Sequence, residues 1–163
     1  MSNPLANQLD PRVKAVWRIT DAITLTLVFL GCVATFFLIA VFDEESSWAW
    51  GVCGAMAAIY AVLLVLLLAV IPPIRYARWR YQISPDYLQI ERGIVWRKRF
   101  VIPFIRVQNT DTQQGPVLRM FGLSSVTVAT AAGEHAIPGL DSEEAAQVRD
   151  KAAELARIAR EDV

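Results

Sequence analysis

Two stretches of this chain contain no charged residue, and each is long enough to cross a lipid bilayer. Residues 22–42 read AITLTLVFLGCVATFFLIAVF and residues 48–71 read WAWGVCGAMAAIYAVLLVLLLAVI. As α-helices they extend about 30–35 Å, the thickness of the hydrocarbon core. A charge at the bilayer centre costs about 2.5–3.5 kcal/mol on insertion scales, so an uncharged run of this length is what a spanning helix requires. A soluble protein would need further helices to bury two such segments, and the rest of the chain does not supply them. A cleaved secretory signal would start earlier and carry a shorter apolar region. Only Asp43-Glu44-Glu45-Ser46-Ser47 joins the two blocks, so they are expected to form an antiparallel transmembrane hairpin. Neither block carries a charged side chain, so a proton relay or ion path built on intramembrane carboxylates is not expected.

Arg12, Lys14 and Arg18 precede the first block, Arg75, Arg78 and Arg80 follow the second, and the link has no Lys or Arg. The positive-inside rule then predicts both termini in the cytoplasm and the acidic link outside. Trp48 and Trp50 are expected at the outer interface, and Tyr76 and Trp79 at the inner one. Upstream, Leu9, Val13, Val16 and Trp17 share a helical face, which predicts a short interfacial helix within a cytoplasmic segment over residues 1–21. Cys32 and Cys53 would differ in depth by about 7 Å, so both are expected as free thiols. Gly51, Gly54, Ala55, Ala58 and Ala61 recur at spacings of three and four and permit close helix packing. The first span is the expected partner for that face, with an oligomer contact as the alternative.

From residue 76 onward the apolar period shortens from 3.6 to 2. Strands are expected over 81–83, 87–90, 94–102, 105–110, 124–130 and 135–137, with a helical turn over 117–121. In the third of these, Ile94, Trp96, Phe100 and Ile102 would share one face. Asp141 is the expected N-cap of a terminal helix, with Glu144 as its capping-box partner. That helix would pack through Val148, Ala152, Leu155 and Ile158. Short strands plus one terminal helix predict a small curved sheet or partly open barrel closed by the helix. The fold class is therefore α+β: a two-span hairpin over 22–71 followed by a cytoplasmic domain over 76–163.

The motifs Tyr81-x-Ile83-Ser84-x-Asp86-x-Leu88, Gly93-Ile94-Val95 and Ile102-Pro103-x-x-Arg106-Val107-Gln108 resemble those of the YdbS-like bacterial pleckstrin-homology (PH) membrane proteins. Gln114-Gly115-Pro116-x-Leu118-Arg119-x-Phe121-Gly122-Leu123, Val126-x-Val128 and Ile137-x-Gly139-Leu140 continue the match. The preceding hairpin belongs to the same layout. The resemblance implies a PH-like barrel with a C-terminal helix, no assigned enzymatic activity, and as companion a longer relative carrying several copies of the module. With the charge pattern, it places the chain in the bacterial cytoplasmic (inner) membrane as a multi-pass protein.

Little in the residues points to chemistry. His135 is the one histidine and, with two cysteines, cannot complete a zinc site of His and Cys ligands. No Gly-rich phosphate loop is present, and no cofactor is expected. The 16 basic and 16 acidic residues balance, which argues against a nucleic-acid binder. Their distribution says more. Residues 72–140 hold nine basic against four acidic side chains, a net +5, while the tail from Asp141 holds four against seven, a net −3. Trp96, Arg97, Lys98 and Arg99 form the densest patch, with Arg75, Arg78 and Arg80 near the membrane. These seven are the candidate contacts for anionic lipid or a protein partner. Arg106 and Arg119 are expected to bond barrel carbonyls. The expected function is a non-enzymatic, membrane-anchored interaction module that recruits a protein partner or further copies of itself. The alternatives are an accessory subunit of a transport or envelope-synthesis complex acting through its hairpin, and an anionic-lipid-binding module.

Overall fold

The computed structural model describes residues 5–42 and 48–161; the acidic link expected as an outer loop lies outside the described residues. The chain divides into two compact units, Trp17–Pro73 and a second that combines the N-terminal residues up to Val16 with Ile74 onward.

The first unit is the helical hairpin. Helix α1 runs Val13–Phe42 and α2 runs Trp48–Val65. Apolar side chains face outward all round them: Leu27, Val28, Leu30, Phe37, Ile59 and Val62 are exposed. A helix apolar on every side and not buried in protein is suited to lipid. The helices meet through Phe29 stacked on Tyr60 at 4.3 Å and through Phe37 edge-on to Trp50 at 5.9 Å. The Thr26 hydroxyl donates to the Ala22 carbonyl at 2.7 Å and lies 2.9 Å from the Tyr60 hydroxyl. Small residues do not make this contact. Gly51, Gly54, Ala55, Ala58 and Ala61 are all exposed, and a Cβ on Gly51 or Gly54 would meet nothing within 4 Å. The expectation that they pack on the first span is therefore corrected. The bulky aromatics at Phe29 and Tyr60 fill the interface and turn the small face outward. Cys32 and Cys53 are both free thiols.

After α2 the helix widens into a π turn, Leu66–Val70, and continues as α3, Ile71–Ala77. The Ile71 N–H donates to the Leu66 carbonyl, five residues back. Pro72 and Pro73 explain this, because neither has an N–H to donate and each ring crowds the carbonyl four residues earlier.

The second unit holds two three-stranded antiparallel sheets. The first is β1 (Arg80–Ile83), β2 (Tyr87–Arg92) and β3 (Lys98–Pro103) in that order. The second is β4 (Val107–Gln113), β5 (Leu123–Thr130) and β6 (Gly133–Asp141). A short α4 (Pro116–Met120) links β4 to β5, and α5 (Ser142–Glu161) ends the chain. Tyr81, Leu88, Ile90, Phe104, Leu123, Val126, Val128, Ile137 and Leu140 are fully buried, and Ala145, Val148, Ala152 and Ala156 of α5 close over them. This is the expected PH-like arrangement of strands and terminal helix.

Several local expectations change. The chain turns at 93–97 instead of continuing as strand, because Gly93 adopts φ +130°. Phe104–Arg106 is a 3-10 turn that buries Phe104, so β4 starts later than expected. Asp141 does cap α5, accepting from the Glu143 N–H at 3.1 Å. Glu144 does not close a capping box, since it accepts from the buried Tyr81 hydroxyl at 2.8 Å. The packed stripe of α5 runs through Ala145, Val148, Ala152 and Ala156, leaving Leu155 half-buried and Ile158 exposed.

The largest correction concerns the N-terminus. Val13, Val16 and Trp17 do open the helix that runs into the first span, whereas Leu9 precedes it, and all four are buried. Leu5, Leu9, Val13 and Val16 belong to the PH-like unit and are covered by protein. Asn7 exchanges two backbone hydrogen bonds of 3.0 Å with Tyr81, and the Asp10 N–H donates to the Gly139 carbonyl at 3.0 Å. Gly139, at φ +67°, gives Val13 room: a Cβ there would lie 2.6 Å from Val13 Cβ. The Arg12 guanidinium then donates to Asp10 and Asp141, each at 2.8 Å, and to the Phe121 carbonyl at 3.0 Å. An apolar stripe at helical spacing states that something must be covered, and it is silent on whether lipid or protein covers it.

Candidate functional site

The seven basic and aromatic candidates gather around the β2–β3 loop, where the backbone divides them between two grooves. Arg75, Trp96 and Lys98 line the first, of about 600 Å³, together with Trp79, Arg92, Val95 and residues of β6. Arg78, Arg80, Arg97 and Arg99 line the second, of about 230 Å³, with Leu5 and Glu91. The run 96–99 is shared between them: Trp96 and Lys98 line the first groove, Arg97 and Arg99 the second.

Arg78 and Arg80 have structural work. The Arg78 guanidinium donates to the Ile94 carbonyl, and Arg80 donates to the Trp79 carbonyl at 3.0 Å. Arg99 pairs with Glu91 at 2.9 Å across the β2–β3 ladder. Trp96, Arg97 and Lys98 are exposed. Gly93 sets the loop's shape, because a Cβ there would fall on the Trp96 carbonyl. Trp79 is buried and forms a wall of the larger groove, so it does not sit in an aromatic belt as expected. Tyr76 is half-buried with the Lys14 ammonium 4.7 Å above its ring.

Arg92 is a basic residue of this site that the sequence did not single out. Its guanidinium lies 5.1 Å over Phe100, whose ring also meets His135 at 5.0 Å. Burial, and secondarily the Arg92 charge, holds the His135 pKa below its ordinary value, so the imidazole is neutral at pH 7. The signal for Arg92 was its place beside the turn glycine. Pairing with β3 sets Arg92 opposite Lys98. Among the described residues no three His, Cys, Asp or Glu side chains gather into a metal-holding group.

A third groove, of about 580 Å³, lies beside the start of β4 and the end of α5. It is lined by Ile105, Arg106, Val107, Gln108, the β5–β6 turn and Arg160. Arg106 and Arg119 are both exposed, and among the described residues neither guanidinium bonds a barrel carbonyl, contrary to expectation. Ile105 and Arg160 were not singled out from the sequence. They are far apart in the chain, and folding brings them to one groove.

The bacterial PH domain family profile matches residues 22–156, which takes in the hairpin as well as both sheets and most of α5. The chain belongs to the bacterial PH domain family. Among the relatives of this PH protein, UPF0699 transmembrane protein YdbS of Bacillus subtilis (strain 168) is 34% identical over 157 residues, covering 96% of each chain. UPF0699 transmembrane protein YdbT of the same organism is 31% identical over 101 residues, 60% of this chain and 20% of that relative. No solved structure matches the chain at a significant level. The likeness to transmembrane proteins and the two long apolar helices mark this bacterial PH protein as a membrane protein.

Proposed function

We propose that this PH protein is a non-enzymatic, membrane-anchored module that holds a protein partner at the cytoplasmic face of a bacterial inner membrane, both termini being cytoplasmic. The outer edge of β4 carries this reading. β4 ends its sheet, and among the described residues no strand pairs with its outer side. Natural sheets blunt such edges with charge, proline or a cover. β4 is seven residues long, holds one charged residue, Asp111, and is exposed over most of its length. An unpaired edge of this kind accepts an added strand through its main-chain groups.

The groove at the start of β4 adds side-chain selectivity. Ile105, 46% exposed, offers an apolar contact, and Arg106 and Arg160 offer two cations. The fitting occupant is an extended segment that places an apolar side chain next to acidic ones. A longer member of the same family supplies the partner, and a second copy of this chain is the other source. The relation to YdbT, only a fifth of which aligns, supports a companion larger than this module.

The test is affinity isolation of the tagged full chain from its host membranes, followed by native mass spectrometry. A stoichiometric partner is expected, retained by Arg97→Glu and lost with the pair Ile105→Asp and Arg160→Glu. Recovery of a bare monomer would overturn the reading. Loss of the partner only on replacing the hairpin would move the contact to the spans.

A further inference from the structure

We infer that the β2–β3 loop is a second membrane contact, in which Val95 and Trp96 enter the headgroup boundary while Arg92, Arg97 and Lys98 face anionic headgroups. The inference uses a different face from the partner edge and stands independently of it. Its occupant is the bilayer that the chain itself spans.

The loop presents two large apolar side chains at its tip, Val95 at 77% and Trp96 at 80% exposure. Apolar surface of this kind on a folded domain marks a contact. Gly93, at φ +130°, holds the tip in its turn. Cations flank the tip: Arg92 precedes it, and Arg97 and Lys98 follow directly. The nearby acid, Glu91, is paired with Arg99. Tryptophan beside Lys and Arg is the composition that favours the bilayer interface, and basic groups at that level are drawn to an anionic leaflet.

The loop is also fastened to the part of the chain that leaves the membrane. Arg78 donates to the Ile94 carbonyl, and Arg75 lines the groove behind Val95 and Trp96. Arg75 follows Ile71, the last residue of the apolar block, by only four residues of sequence. Continuity with the span therefore selects lipid over a soluble partner as the occupant of this tip.

The experiment places a bimane label at Val95→Cys in the full chain with Cys32→Ala and Cys53→Ala. A second protein carries the label at Asp150→Cys on the acidic terminal helix. Each is reconstituted in nanodiscs of phosphatidylcholine with brominated acyl chains, alone or mixed equally with phosphatidylglycerol. The label at position 95 is expected to lose most of its emission, and more so with phosphatidylglycerol. The label at position 150 is expected to keep its emission. Arg97→Glu with Lys98→Glu, both exposed positions, should remove the extra loss caused by phosphatidylglycerol. Unquenched emission at position 95 in both mixtures overturns the inference, as does equal quenching at positions 95 and 150. Protection of position 95 only when a protein partner is bound assigns the tip to that partner and also overturns it.

Discussion

Gly139→Ala separates two physical costs that one substitution imposes at the same point. The first is backbone strain, since Gly139 sits at φ +67°, and a left-handed conformation costs a residue with a Cβ about 1–2 kcal/mol. The second is overpacking, because the new Cβ would lie 2.6 Å from Val13 Cβ; inserting a methyl into a filled site costs about 1–3 kcal/mol. Only the second is relieved when the N-terminal segment lifts away from β6. Hydrogen exchange of the full chain in nanodiscs distinguishes them. The Asp10 amide, bonded to the Gly139 carbonyl at 3.0 Å, reports segment opening and should exchange about 5- to 150-fold faster. Buried strand amides around Ile137 report the backbone strain and should accelerate by about 5- to 30-fold. In a Val13→Gly background the new Cβ meets no side chain, so Gly139→Ala should add nothing at Asp10 and keep its effect at Ile137. Unchanged exchange at Asp10, or the same acceleration with and without the Val13 side chain, would refute the docking of this segment on β6.

Further outcomes follow from three contact sites. The Arg12 guanidinium holds the Asp10 and Asp141 carboxyls below their ordinary pKa. A depressed folded-state value stabilises above the unfolded one, so the clamp is complete above about pH 4 and fades as pH falls through the folded values. The difference in unfolding midpoint between wild type and Arg12→Ala should therefore close on acidification below that point. Tyr81→Phe removes the hydroxyl that Glu144 accepts at 2.8 Å. The exposed carboxylate regains water, so the cost is about 1 kcal/mol, read as a midpoint lowered by about 4–8 °C. Burial and then Glu144 raise the Tyr81 phenol well above its usual pKa, so wild type should show no Tyr81 phenolate by absorbance at pH values where exposed tyrosines ionise. In the hairpin, Tyr60→Phe breaks the 2.9 Å contact with Thr26. Thr26 keeps its bond to the Ala22 carbonyl, so detergent titration in bicelles should show a loss of only about 0.6 kcal/mol.

The hairpin was legible in the sequence because an uncharged run of bilayer length has few other stable fates. Most strands and the terminal helix were legible too, since a change of period from 3.6 to 2 is a local property of neighbouring residues. The motif 102–108 was one of those that carried the family resemblance, yet the same residues did not reveal that Phe104 would turn the chain before β4. Other features depend on residues distant in the chain. Leu9 and Val13 formed a visible apolar stripe, and only β6, with the opening at Gly139, decided that protein covers it. Gly51, Gly54 and Ala58 gave a visible small face, and stacking of Phe29 on Tyr60 turned that face outward. The basic run 97–99 was plain as charge, and strand pairing committed Arg99 to Glu91 while leaving Arg97 and Lys98 exposed. Periodicity and charge are sums over adjacent residues and can be read in one dimension. The choice of which surface covers a stripe, and which cation remains for a ligand, is a competition among groups that meet only after folding.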